Sequence, residues 1–338
     1  MDKLTFKANK LTKSMESLNS FVPLLVQDLS LSGRHGTARA YMSSLRRLTE
    51  FTGNKNLLLS DLNPSLLKRY EQHLFKEGCK RNTISLYMRM LRSICNQAQR
   101  RGVKGIRSGL FNDVFTGTDS SEKRAVSPVV IRRLREADLS SHPTLEMARD
   151  LFLLSFYLRG IPFVDLIRLR KCDINRGILR YRRSKTGRLL TVAVEPCAQE
   201  ILRKYSHKTS GSPYMLPVIC SEGYSGYREY QNALRRYNLH LHKLSELLKL
   251  KTNLTSYVAR HSWATAAYHE GIPVAVISES LGHASEKVTY TYLASFDNRT
   301  LKRANRKIIA LIFAKKESEM KSLSYPRKFS NMNFKAYD

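Results

Sequence analysis

Apolar residues recur at helical spacing through the first third of the chain. Tyr41, Leu45, Leu48 and Phe51 fall on one face of a run that starts at Thr37 and stops at Gly53. Asn63 then stands where a helix cap belongs, with Pro64 at the first helical position. Leu66, Leu67, Tyr70 and Leu74 form the stripe of that second helix, and Gly78 closes it. Asn82 reads as the cap of a third, carrying Ile84, Tyr87, Leu91, Ile94 and Ala98 before Gly102. Residues from Phe21 to Leu29 can supply a fourth. Four short helices with brief connections predict a small bundle.

Periodicity lapses over residues 106–126, where GLFNDVFTGTDSSEK is rich in Gly, Ser, Thr and Asp and reads as a linker. Ser127 and Pro128 then look like the cap and first residue of a helix through Glu136. A strongly apolar helix is expected from Thr144 to Leu158, ending at Arg159-Gly160. The stretch GILRYRRSKTGRLLTVAV reads as two β-runs around the turn Lys185-Thr186-Gly187. Beyond it come a long helix from Tyr227 to Leu248, one capped by Thr255 and holding Tyr257 to Tyr268, one from Pro273 to Leu281, and a short one from Ser285 to Leu293. Asp297 is placed as the cap of a last helix through Phe313. The expected organisation is a helical domain over 1–105, a linker over 106–126, a mixed domain over 127–315 and a basic, disordered tail over 316–338.

Composition narrows the function classes. Lys and Arg number 58 against 28 Asp and Glu, a formal charge of +30 on 338 residues. That excess points to a polyanionic partner, and nucleic acid is the commonest one. At 42% apolar content the chain has enough for ordinary cores. No apolar run approaches the ~18 residues of a membrane span, so no membrane association is expected. The start, MDKLTFKANK, carries no apolar core of a secretion signal. Five scattered cysteines with no Cys-x-x-Cys pair suggest free thiols in a reducing cytoplasm. The His240/His242 pair has no Cys or Asp beside it and reads as a helix feature, so no metal is expected.

The faces opposite the N-terminal stripes are basic. Arg39, Arg46, Arg47, Lys80, Arg81, Arg89 and Arg92 are the candidate DNA contacts, and Lys80 and Arg81 precede a helix N-terminus whose free amides favour phosphate. In the second domain several residues mark element boundaries: Arg159 ends the core helix, Lys185 occupies the hairpin turn, Arg260 lies early in its helix, and His283 follows a glycine stop. Tyr292 comes nine residues after His283. Singly, each has an ordinary structural explanation.

In order along the chain, YLRGIPFVDLIRL, RRSKTGR, TSYVARHSWAT and LGHASEKVTYTYL resemble the signature segments of the tyrosine recombinases, the phage-type integrases. The first third resembles their helical, SAM-like core-binding domain. The resemblance implies a mainly α fold, with an α+β catalytic domain that holds a small β-hairpin. It implies that Arg159 and Arg260 clamp the scissile phosphate, Lys185 reaches the cleavage site, His283 lies near the nucleophile, and Tyr292 rather than Tyr290 is that nucleophile. Asp165, six residues after the first arginine, would support the site without touching DNA. Tyr257 departs from the pattern, for the family usually carries histidine three residues before the second arginine.

The chemistry suits those roles. Paired guanidiniums neutralise a phosphodiester and the added charge of its transition state. A free phenol is only about one part in a thousand ionised near neutrality, so it must lose its proton during attack. An acid such as Lys185 can protonate the departing 5′-oxygen. The resulting 3′-phosphotyrosyl link conserves the bond's free energy, so neither ATP nor another cofactor is expected. The family works on double-stranded DNA as a homotetramer holding two duplexes through a Holliday junction, for integration or excision of a mobile element or for DNA inversion. A protein of the bacterial nucleoid is therefore expected. A type IB topoisomerase-like enzyme and a DNA-binding regulator that has lost catalysis are the alternatives, the latter motivated by Tyr257.

Overall fold

The computed structural model describes residues 17–119 and 124–293, with five helical positions, Lys302, Asn305, Arg306, Ile308 and Ile309, further on. The described residues up to Leu293 form one compact unit. The last helix expected from Asp297, and the tail, lie outside the described residues but for those five positions.

The bundle forms as its stripes demand. Helices α1 (Leu18–Leu31), α2 (His35–Thr52), α3 (Pro64–Lys76) and α4 (Arg81–Arg100) close on a core of Phe21, Leu48, Tyr70, Met88 and Leu91. Asn63 caps α3 as expected, its Oδ1 accepting from the Leu66 amide at 2.9 Å. Asn82 does not cap α4. Lys80 occupies that position, and the Asn82 amide instead exchanges bonds with the Asp119 backbone at 2.8 and 3.0 Å. The first half of the expected linker thereby joins the bundle, because Leu110, Phe111 and Val114 are buried in its core. Three apolar side chains among glycines and threonines were too sparse to register as a period, yet they suffice to hold an irregular segment down.

The second core is built on α6 (Pro143–Tyr157), whose stretch from Asp150 to Ser155 is buried on every face. Around it lie α5 (Pro128–Glu136), the short α7 (Phe163–Leu166), α8 (Pro196–Ser206) and α9 (Gly223–Leu247). A three-stranded antiparallel sheet, β1 (Ile174–Asn175), β2 (Ile178–Arg182) and β3 (Leu189–Ala193), follows α7. Tyr181 pairs with Leu190, both inward, while Arg180 and Arg182 alternate outward. Helices α10 (Val258–His269), α11 (Val274–Leu281) and α12 (Glu286–Tyr290) complete the unit. Thr255 does not cap α10 with its side chain. Its carbonyl accepts from the Val258 amide at 3.0 Å, one turn before the helix proper. A separate small apolar cluster of Ala264, Ala267, Ile277, Leu281 and Leu293 ties α10, α11 and the segment after α12 together.

Candidate active site

The site forms where the ends of α6 and α11 meet the start of α10. The chain leaves α6 with Arg159 and Gly160 both in the left-handed region, φ +57° and +69°. A Cβ on Gly160 would lie 2.8 Å from the Arg260 Cα, so only glycine fits this crossing. α11 ends at Leu281 with Gly282 as its left-handed cap.

Arg260 is only 2% exposed. Burying a guanidinium is costly unless its donors are used. Here Nη1 donates to the Gly160 carbonyl at 2.8 Å, and Nη2 donates to the Leu281 carbonyl at 2.6 Å and to His283 Nε2 at 2.9 Å. Its Nε has no protein partner. The Leu281 carbonyl, at a helix C-terminus, also accepts from Arg183 Nη1 at 2.5 Å. Burial, and then the neighbouring Arg183, bring Arg260 down to about 10, which leaves it charged near neutrality.

His283 is buried beside these cations. An arginine can only donate, so Nε2 of the imidazole must be the acceptor and the proton sits on Nδ1. Nδ1–H then donates to Thr289 Oγ1 at 2.8 Å. Burial, followed by Arg260, Arg183 and Lys185, lowers His283 to about 3, so the ring is neutral.

Tyr292 lies two residues beyond α12, in a turn rather than on the expected helix, with its amide donating to the Thr289 carbonyl at 2.9 Å. Buried Leu293 anchors it in the α10–α11 cluster. Its ring is 5.0 Å from that of His283 and 4.7 Å from that of His261, with the Arg260 guanidinium 5.4 Å away. Its carbonyl lies 3.3 Å from both His261 Nδ1 and Thr265 Oγ1. Tyr290, by contrast, is an exposed residue at the end of α12.

Tyr257 immediately precedes α10 and is 54% exposed, so its ring is not core packing. Desolvation, then the Tyr292 phenol, holds it above the ordinary phenol value. Asp165 is buried, accepts from the Ser184 amide at 2.9 Å and forms an ion pair with Arg183 Nε at 2.9 Å. It thereby pins the base of the hairpin whose turn presents exposed Lys185. Arg159, half-buried, lines a cavity of about 370 Å³ with Arg188 and Glu279.

Arg183, Arg188, His261 and Thr289 were not singled out in the sequence. Arg183 shares the inward parity of Leu179 and Tyr181, which is the signal an attentive reading can use. Arg188 donates to the His283 carbonyl at 3.0 Å from the far side of the turn. Thr289 carries no sequence signal, since a helical threonine is unremarkable.

The basic residues of the bundle divide. Arg39 donates to Gln231 of α9, and Arg47 pairs with Glu50 and Glu77. Arg81 stacks 4.2 Å over Phe115 and faces Asp119 at 3.7 Å, while Arg92 donates to Thr116 at 2.6 Å. Arg46 pairs loosely with Glu50 at 3.6 Å. Lys80 and Arg89 are exposed, Arg89 making only a long 3.4 Å bond to its own helix. Four of the seven expected DNA contacts, Arg39, Arg47, Arg81 and Arg92, therefore also do structural work, and Arg46 does so loosely.

Comparison with solved structures puts the chain in the integrase fold. It aligns with a lambda integrase dimer bound to a COC′ core site at a TM-score of 0.60 and 17% identity, over 88% of this chain and 83% of that one. A lambda integrase tetramer bound to a Holliday junction aligns at 0.57 and 18% identity, over 85% and 82%. By sequence, residues 17–108 match the phage integrase SAM-like domain and residues 126–299 the phage integrase family. The tyrosine recombinase XerA of Thermococcus kodakarensis is 26% identical over 278 residues, 78% of this chain and 86% of that protein. The chain belongs to the phage integrase family: it is a tyrosine recombinase, an enzyme of site-specific DNA recombination. No helix among the described residues is long and apolar enough to cross a membrane.

Proposed function

We propose that this recombinase cuts and rejoins duplex DNA through Tyr292, in the service of a mobile element's integration and excision or of DNA inversion. The observation that carries the assignment is the convergence of Arg260, neutral His283 and Tyr292 from three separate segments. The Tyr292 Oη attacks the scissile phosphorus while the bond to the 5′-oxygen breaks. The phenolic proton passes to the Nε2 lone pair of His283, the only one the ring offers, once Arg260 Nη2 gives it up to the phosphate. Lys185, on its exposed turn, delivers a proton to the departing 5′-oxygen. Arg159 and Arg260 hold the phosphate oxygens, and Tyr257 donates one hydrogen bond in place of the usual histidine. Asp165 supports the hairpin through Ser184 and Arg183. Religation reverses the step on the partner strand.

The bundle grips the duplex electrostatically, with Lys80 and Arg89 on phosphates and Arg39, Arg46, Arg47, Arg81 and Arg92 adding positive field. Four copies on two duplexes exchange strands through a Holliday junction in the cytoplasm, on nucleoid DNA. The tetrameric state of the lambda enzyme on such a junction supports this reading. The experiment is to incubate the chain with a randomised library of nicked duplexes, in EDTA and without nucleotide, and to sequence the DNA retained in SDS-resistant protein complexes. Recovery of one recurrent site with inverted arms is expected; binding without any covalent product contradicts the reading and favours the DNA-binding regulator.

A further inference from the structure

Thr289 touches both members of the proposed catalytic pair and has no role in the scheme above. It is fully buried at the penultimate position of α12. Its hydroxyl accepts the Nδ1–H of His283, and its carbonyl accepts the backbone N–H of Tyr292. One residue thus links the histidine, which follows α11, to the tyrosine, which follows α12.

The link matters because a buried neutral imidazole has two tautomers of similar intrinsic stability, and only one leaves a lone pair on Nε2. Arg260 Nη2 selects that one from one side, since it can only donate. On DNA, a bound phosphate competes for the Arg260 donors, and the selection from that side weakens. The Thr289 hydroxyl remains. It is fully buried, and its bond to Nδ1 does not involve Arg260.

We propose that Thr289 is a positioning residue of the recombinase, fixing the tautomer and ring orientation of His283 and coupling them to the placement of Tyr292. The role rests on the reading of Tyr292 and His283 given above. A methyl in place of the hydroxyl leaves Nδ1–H without an acceptor in a buried site. The ring then rotates or moves its proton to Nε2, and the Nε2 lone pair is lost. In the DNA-free site Arg260, Arg183 and Lys185 disfavour a doubly protonated ring, so the resting imidazole carries one proton, and the bound phosphate's negative charge offsets those cations when the phenolic proton arrives.

The test uses the full chain in two measurements. The first is ¹⁵N correlation spectroscopy of the histidine side chains, with the His283 signals assigned by their absence in His283→Gln. The second is the single-turnover rate of covalent complex formation on a nicked duplex. The wild type is expected to show one His283 tautomer, protonated on Nδ1. Thr289→Val is expected to lose that signature and slow cleavage roughly 10- to 100-fold, one hydrogen bond's worth, with DNA affinity unchanged. Thr289→Ser is expected to restore both the signature and the rate to within about threefold. Thr289→Ala serves in place of the valine variant should that one fail to fold. The proposal is overturned if the hydroxyl-free variant keeps both tautomer and rate, or if the serine variant, though folded, is as slow as the valine one. A wild-type chain that forms no covalent complex overturns the proposed function instead, and the tautomer measurement then still decides whether Thr289 holds the ring.

Discussion

Replacing Gly160 by alanine tests whether the site depends on the close crossing of two backbones. The residue sits at φ +69°, and the new Cβ would lie 2.8 Å from the Arg260 Cα, far inside contact distance. An L-residue in the left-handed region costs about 1–2 kcal/mol. The overlap is with backbone, which cannot rotate away, and over-packing of that kind adds about 1–3 kcal/mol. A total of ~2–5 kcal/mol lowers the melting temperature by roughly 5–20 °C, at about 2–4 °C per kcal/mol for a domain of this size. The variant still folds if its stability lies in the usual range of about 5–15 kcal/mol. Catalysis should suffer more than stability alone explains. The Gly160 carbonyl accepts from Arg260 Nη1, so pushing the two segments apart displaces the guanidinium. A misplacement approaching 1 Å costs up to about 100-fold in rate. Gly177→Ala is the control. It shares a positive φ of +75° but has nothing within 4 Å of the added carbon, so it carries the conformational cost without the displacement. The two variants are compared by thermal denaturation and by single-turnover cleavage below both melting temperatures. Equal cleavage rates for Gly160→Ala and Gly177→Ala would refute the idea that this crossing sets Arg260.

Two further outcomes are expected. His283 goes from an ordinary 6.5 to about 3 in the fold, so its neutral ring contributes fully above about pH 6.5 and the contribution is lost as pH falls from there towards 3. His283→Gln should flatten the stability-versus-pH curve across that window in urea titrations; an unchanged slope would mean that other groups dominate acid unfolding. Tyr257→Phe should slow cleavage roughly 10- to 100-fold, the loss of one transition-state hydrogen bond, while Arg260→Ala should do far more damage. Equal rates for Tyr257→Phe and wild type would leave that phenol no part in the chemistry.

Much of the architecture was legible because amphipathic periods and glycine stops coincide. The bundle stripes, the strongly apolar α6 and the Lys-Thr-Gly turn emerged where expected. The errors cluster where a polar side chain had two possible uses. Asn82 resembles a cap but serves the segment at Asp119, and Thr255 resembles a cap but lies a turn too early. At the site, the motif order located Arg260, His283 and Tyr292, which the fold then brought together. It said nothing of what holds them. Their supports are carbonyls of Gly160 and Leu281, a threonine hydroxyl and an inward arginine, groups whose use depends on tertiary contact and leaves no local pattern.

We propose that Tyr292, and no other tyrosine, carries the DNA. Trypsin digestion of the covalent complex should release residues 288–299, which contain both Tyr290 and Tyr292. Fragmentation of that peptide in the mass spectrometer, after nuclease trimming of the DNA, locates the nucleotide. The adduct is expected on Tyr292, absent in Tyr292→Phe and retained in Tyr290→Phe. An adduct on Tyr290 or Tyr257, or one that persists in Tyr292→Phe, would contradict the account.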